Sequence, residues 1–295
     1  MKSDPRLADI INRPGDKNPA ACLVGFPSDN GVKINGGRPG ASRAPELIRD
    51  QLLKLTPHAD YAEQHISFLN GVADHGEISC SGTVEEDQEK LGVFIADSFQ
   101  QKVLPVILGG GHETAFGHFL GYAKADQPLS IINIDAHTDV RPLKDGKAHS
   151  GSSFYQAVQH SSSVCASYNV FGLNPSSVSF DHLEFVKKHG QALFESETIV
   201  KNVLGVLNQL TENIMVTMDI DVVKQAEAPG VSAPNASGIS SEVWLELAFQ
   251  FGRHPLVTSF DLCEVNPEYD PDSRTIRLAA LTVWYFLLGV ALRDV

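Results

Sequence analysis

Short apolar runs, many of them rich in β-branched residues, recur along the chain with longer stretches of mixed polarity between them. ACLVGF (21–26), ISFLNGV (66–72), VLPVIL (103–108), LSIINID (129–135), SYNVFG (167–172), QALFE (191–195), NIMVTMD (213–219) and PLVTSFD (255–261) read as strands. Stretches near 43–54, 84–101, 113–125, 181–189, 197–211 and 240–252 read as helices. Strands of continuous apolar character alternating with helices predict a mostly parallel sheet of about eight strands, covered on both faces: a three-layer α/β/α sandwich. No linker-like break or internal repeat divides the chain, so residues 1–295 are expected to form a single domain.

Near the C-terminus LAALTVWYFLLGVAL (278–292) lies between Arg277 and Arg293. It falls short of the roughly 20 apolar residues that a membrane helix needs, so a buried core helix is expected. The first twenty residues contain no apolar signal core. With 23 Lys and Arg against 36 Asp and Glu, the formal charge is −13. That balance argues against nucleic acid or anionic membranes as partners, and an anionic substrate would need local positive charge. Cys22, Cys80, Cys165 and Cys263 are scattered without a CxxC pair, which points to a reducing cytoplasm rather than a disulfide framework.

Chemistry-bearing residues fall where the predicted strands end. His112 follows VILGGG, Asp135 ends LSIINID, Asp219 ends NIMVTMD, and Glu264 lies just beyond PLVTSFD. Open α/β sheets bind ligands at this edge. GGGHET lacks the GK[ST] ending of a phosphate loop, so its glycines are read as allowing close backbone approach. D-x-H-x-D (Asp135, His137, Asp139) and D-x-D (Asp219, Asp221) alternate with period two, which on an extended segment would turn their side chains to one side. Four converging carboxylates repel one another unless cations balance them, and two divalent ions would do so while leaving His112 and His137 neutral ligands. The oxygen-rich set with no thiolate favours Mn²⁺ over Zn²⁺. A carboxylate shared by two ions would hold them roughly 3.5–4 Å apart, an arrangement suited to hydrolysis.

Around this set, Glu264 suits a cationic amidine or guanidine group of a substrate. Arg141, directly after the ligand loop in DVRP, suits a carboxylate. His149, in AHSGSSF, is a candidate for moving protons near neutral pH. His118 and the remaining histidines have no metal-type spacing and are read as structural.

With GVKINGGRPGASRAPELIRDQL (31–52), GGGHET, NIDAHTDVRP, SGSSF, MDIDVV and FDLCEVNP in view, the chain resembles the arginase/agmatinase (ureohydrolase) family over nearly its whole length. The resemblance implies two Mn²⁺ ions per subunit. One would be held by His112, Asp135, Asp139 and Asp219. The other would be held by Asp135, His137, Asp219 and Asp221. It also implies that Glu264 meets the amidine-like group; Asp139 and His149 are the candidates for delivering a proton to the departing amine. Family members are often oligomers, so a homo-oligomer is in view.

Departures within the pattern choose among substrates. Arginases usually read GGDHS, whereas this chain has Gly111 and Glu113 on either side of His112. Agmatinases usually place His directly before the glycine of HGTxF, whereas Ser150 stands there and His149 is displaced by one residue. DVRP, SGSSF, APGVSAP (228–234) and NPEYDPDSRTIRLAA (266–280) are most similar to the formimidoylglutamase branch. Hydrolysis of N-formimidoyl-L-glutamate to L-glutamate and formamide, a step of histidine degradation, is the expectation, with Arg141 and Ser150 binding substrate. Other ureohydrolase substrates (agmatine, a guanidino acid, arginine) are the alternatives. More distant ones are a zinc deacetylase-like enzyme and a non-catalytic homologue.

Overall fold

The computed structural model describes residues 4–12, 19–195 and 197–293. The expected 1–295 domain and the stretch screened for a signal therefore include residues outside the described ones. Eight parallel strands, β1 (Ala21–Phe26), β2 (Val72–Glu77), β3 (Leu104–Gly109), β4 (Leu129–Ile134), β5 (Cys165–Leu173), β6 (Ala192–Phe194), β7 (Asn213–Asp219) and β8 (Val257–Cys263), form one sheet. Their spatial order is β2-β1-β3-β8-β7-β4-β5-β6. The helices are α1 (Asn30–Asn35), α2 (Ala44–Leu52), α3 (Ala62–Leu69), α4 (Val84–Gln100), α5 (Thr114–Ala125), α6 (Ser153–Val158), α7 (Phe180–His189), α8 (Ile199–Leu207), α9 (Ser241–Arg253) and α10 (Arg274–Ala291).

Alternation along the strands sorts the side chains into two layers. Ile132, Ile134, Ile214, Val216, Met218, Phe260 and Leu262 face the core shared with α2, α3, α8, α9 and α10. Leu129, Ile131, Met215 and Val170 face α5, α6 and α7, while Val24, Phe26 and Ile107 face α4. Both faces are therefore buried, as continuous apolar strands require. The apolar C-terminal segment is helix α10, long and apolar enough to cross a membrane but with 67% of its span buried inside the fold. The ring of its Phe286 stacks on Phe260 of β8 at 4.3 Å.

One strand assignment fails. ISFLNGV is largely helix α3, and the strand begins only at Val72. His65 and Leu69 are buried four residues apart, a helical spacing that a short apolar run conceals. The strand itself, VADHGE, sits at the sheet edge and is buried only in its first two residues, so it carries little apolar signal.

The strand order decides where the chemistry meets. After β3 the chain leaps to β4, and β7 and β8 later fill the gap between them. The four central strands β3, β8, β7 and β4 thus end, side by side, at His112, Glu264, Asp219 and Asp135. This reversal of strand order opens the crevice in which such sheets bind ligands.

The α3 assignment has a consequence at acid pH. His65 is fully buried and in edge contact with Trp284; among the described residues its Nε2 has no hydrogen-bond partner, and its Nδ1 accepts from the His58 backbone N–H. Burial, aided by His58, lowers its pKa from 6.5 to about 4. The unfolded chain takes up this proton first, so the stability contribution is lost as pH falls from 6.5 through about 4. Urea unfolding of wild type and His65→Leu should show the loss between about pH 7 and about pH 4.5 reduced by about 2 kcal/mol in the variant. Equal losses would show that His65 does not carry the effect.

Candidate metal centre

Both acidic motifs are built by the same local turn. The Asp135 carboxylate accepts from the His137 backbone N–H at 2.7 Å, and that of Asp219 from the Asp221 N–H at 2.9 Å. An aspartate bonding the backbone two residues on folds the chain tightly, which gives the spacing of two its physical content. The expected extended geometry is therefore corrected. Residues 135–139 form a loop beyond β4, and Asp221 lies in a 3₁₀ turn, Ile220–Val222. Asp139 takes a left-handed φ of 43° and Glu264 one of 67°. Backbone strain of this kind gathers at functional sites, at roughly 1–3 kcal/mol each.

The turns bring the donors together in two groups. The His112 Nδ1 lies 3.0 Å from Asp139 Oδ2, 3.2 Å from Asp219 Oδ2 and 3.3 Å from Asp135 Oδ2. The His137 Nδ1 lies 3.1 Å from Asp221 Oδ2 and 3.4 Å from Asp135 Oδ1. Within each group the donor atoms lie within 4.8 Å of one another. Ligands at right angles around an ion at roughly 2.1 Å stand about 3 Å apart, so these separations suit a divalent cation at each centre. Asp135 offers one oxygen to each group. Asp219 joins only the first.

The electrostatics make the same demand. Burial opposes the charged form of His112, but Asp135, Asp139 and Asp219 outweigh it and hold the imidazole well above its usual range. Asp221, with Asp135, raises His137. Burial and then the charges of Asp221 and Asp135 push the Asp219 carboxyl well up. Among the described residues the buried Asp221 Oδ1 has no hydrogen-bond partner. These directions are the ones expected of a cluster in need of positive charge, and the donor set fits two divalent ions.

A buried polar chain on the α5 side of the sheet orients His112. Thr217 Oγ1 donates to Asp261 Oδ1 at 2.7 Å, so it must accept from His112 Nε2–H at 3.0 Å. That leaves Nδ1 as the atom facing the carboxylates. Asp261 Oδ2 lies 2.6 Å from His118 Nδ1, whose Nε2 is 2.5 Å from Ser259 Oγ. His118 does point away from the acidic cluster, as expected, yet it braces the residue that sets the His112 tautomer. Sequence reasoning overlooked Thr217, Ser259 and Asp261, although polar side chains inside otherwise apolar strands were the available signal. It also overlooked Asn133, which donates to Asp135 Oδ2 at 3.1 Å.

A cavity of about 240 Å³ opens over the cluster, lined by His137, Asp139, Asp219, Asp221, Glu264, Arg141, Ser150 and the α1 segment. Glu264 Oε1 accepts from His112 N–H at 2.8 Å. Burial pushes its carboxyl up to about 8, against the pull of that bond and with Glu113 and Asp221 adding to the rise. Arg141 and Ser150 line the same cavity. His149 does not. It is buried behind the loop with Nε2 3.0 Å from the Pro142 carbonyl oxygen. Gly110 allows the close approach expected of GGG, since a Cβ there would fall 2.0 Å from the Ser28 carbonyl oxygen.

An open parallel sheet with a candidate metal centre and a small-molecule cavity at its carboxyl edge is the layout of a metal-dependent hydrolase. The Arginase family matches residues 19–289. The chain belongs to that family. It is 34% identical over 286 residues to formimidoylglutamase of Geobacillus thermodenitrificans, covering 93% of this chain and 86% of that one. It is 35% identical over 281 residues to formimidoylglutamase of Lysinibacillus sphaericus, covering 91% and 84%. The crystal structure of Trypanosoma cruzi formiminoglutamase with Mn²⁺ superposes with a TM-score of 0.89 at 30% identity, covering 99% of this chain and 100% of that one.

Asp261→Ala would strand Thr217 and His118 in a dry interior. Denaturant unfolding should show a loss of about 3–5 kcal/mol. A loss below about 1 kcal/mol, the net worth of one ordinary hydrogen bond, would show that the chain does not hold the site together.

Proposed function

We propose that the protein hydrolyses N-formimidoyl-L-glutamate to L-glutamate and formamide, in the degradation of histidine, with two Mn²⁺ ions per subunit. The observation that carries this reading is one cavity with an arginine, Arg141, and a buried carboxylate, Glu264, among its walls. A ligand bearing both a carboxylate and an amidinium group satisfies both. Formimidoylglutamate has this constitution, whereas agmatine lacks the carboxylate. The identities to formimidoylglutamases support the same substrate.

The first ion would be held by His112, Asp135, Asp139 and Asp219, and the second by Asp135, His137 and Asp221, with Asp219 shared as the family resemblance implies. When bound, such ions supply a water molecule activated for attack at neutral pH. The residues of the chain do the rest. Glu264, one oxygen fixed by His112 N–H, presents the other to the amidinium nitrogens and aligns the formimidoyl carbon over the cluster. Water adds to that carbon and passes a proton to the Asp139 carboxylate; the bond to the α-nitrogen of glutamate then breaks, and the departing amine takes that proton from Asp139. Arg141 and Ser150 hold a carboxylate that a chain of net charge −13 would otherwise repel. His149, turned to the Pro142 carbonyl, is assigned to bracing the loop that carries Arg141. We place this chemistry in one catalytic domain spanning 1–295, working in the cytoplasm with its four thiols free. Assembly as a homo-oligomer, with no nucleic-acid or membrane partner, belongs to the same proposal.

The Mn²⁺-loaded protein should turn over formimidoylglutamate with a kcat/KM at least about 100-fold above that for agmatine, which leaves Arg141 without a carboxylate, and above those for arginine and 4-guanidinobutyrate. Faster turnover of any guanidine substrate would sink the substrate assignment. Elemental analysis should find two manganese ions per chain, and one zinc would indicate the deacetylase type instead. Asp135→Ala, which removes the ligand offered to both groups, should bind less than one manganese per chain. It should also lose kcat/KM by about 10³-fold or more, as loss of an activating group does.

A further inference from the structure

We infer that Asn35 is a specificity-determining residue, one that arms Arg141 and Ser150 to bind a carboxylate. The inference rests on the proposed carboxylate-bearing substrate and goes beyond it by naming what orients the two groups.

Asn35 is the last residue of α1 and lines the cavity. Its amide bridges two chain segments. Oδ1 accepts from Arg141 Nη1–H at 3.0 Å, and Nδ2 donates to Ser150 Oγ at 3.1 Å. A guanidinium has no acceptor, so the oxygen of the amide must face Arg141 and the nitrogen must face Ser150. Ser150 Oγ therefore receives a hydrogen bond from behind. Among the described residues its own O–H has no acceptor, which leaves that proton for the cavity it lines. Arg141 makes no ion pair among the described residues. In a chain with 36 acidic residues, its partner is a neutral amide, so its full charge stays available to a ligand. The result is a pair of donors, Ser150 O–H and the Arg141 fork, set side by side by one side chain.

Asn35 is itself held in place. Gly31 N–H and Ser28 O–H donate to the buried Glu113 Oε1 at 2.8 and 3.1 Å, tying the start of α1 to the His112 loop. Lys144 Nζ donates to the Ile34 carbonyl oxygen at 2.8 Å. The packing leaves no slack around the bridge: a Cβ at Gly151 would fall 3.1 Å from Asn35 Nδ2 and 3.3 Å from Arg141 Cδ. The departure from GGDHS also finds its reason here. A Cβ at Gly111 would lie 2.2 Å from Glu113 Oε2, so the small residue makes room for the carboxylate that anchors α1.

Asn35→Asp changes one amide nitrogen to oxygen. It places a negative charge against Arg141 and takes away the donor to Ser150. In the Mn²⁺-loaded enzyme, KM for formimidoylglutamate and the inhibition constant of L-glutamate should both rise about tenfold or more, while kcat falls no more than about threefold. Asn35→Ala, which removes the bridge without adding charge, should raise both by about threefold, less than Asn35→Asp. Manganese content and thermal midpoint establish that each variant is folded, and if Asn35→Asp does not fold, Asn35→Ala alone decides. Unchanged KM and glutamate inhibition, or an alanine variant worse than the aspartate one, overturns the inference. If wild type does not hydrolyse formimidoylglutamate, it is the substrate reading that fails. Asn35 is then judged by the same comparison on 4-guanidinobutyrate, whose carboxylate makes the same demand.

Discussion

Buried negative charge governs this molecule. Asp135, Asp219 and Asp221 are almost fully removed from water, and among the described residues the groups able to carry positive charge against them and Asp139 are two imidazoles. Such a cluster is self-repelling unless positive charge is taken into its middle. The carboxylates raise the pKa of both imidazoles, and burial with the neighbouring charges raises that of Asp219, while the donor atoms stand 3.0–3.4 Å apart, separations that suit shared divalent ions. The fold has to bring these groups close and hold them against repulsion, so the strain at Asp139 and Glu264 falls where that demand is greatest.

The scaffold meets the demand from beneath the site. The α5 face of β7 and β8 carries Thr217, Ser259 and Asp261, and α5 lays His118 and Tyr122 over them. Every donor in this chain has an acceptor, which is the condition for a polar network inside a core. Its effect reaches the site as a tautomer. With Nε2–H committed to Thr217, His112 can offer only Nδ1 to the cluster. A histidine read as structural thus braces the aspartate through which Thr217 sets the nitrogen that His112 presents to the cluster.

The cavity adds an asymmetry that the metal cluster alone does not have. On one side Glu264 is buried and acidic. On the other, Arg141 stands exposed with its charge unspent because its neighbour is the amide of Asn35. Ureohydrolase chemistry needs only the metal cluster and an anion for the amidine-like group. In the proposed reading, the choice among amidine-bearing substrates is made at the other end, by Arg141, Ser150 and Asn35 on the loops after β1 and β4.

Much of this was legible along the chain. The apolar runs marked seven of the eight strands, because a strand buried on both faces must be apolar throughout. The eighth, β2, was misplaced because an edge strand need not be apolar and the helix before it was. The ligands were legible because Asp-x-His and Asp-x-Asp are local turns, set by covalent spacing. The bridge from Asn35 to Arg141 and Ser150, and the chain from His118 to His112, were not. They join residues 106, 115, 143, 105 and 44 positions apart. By itself the sequence determined which groups occupy each strand end. Only the tertiary structure decided which strand ends are neighbours, because the insertion of β7 and β8 between β3 and β4 depends on how the helices pack and not on any local spacing.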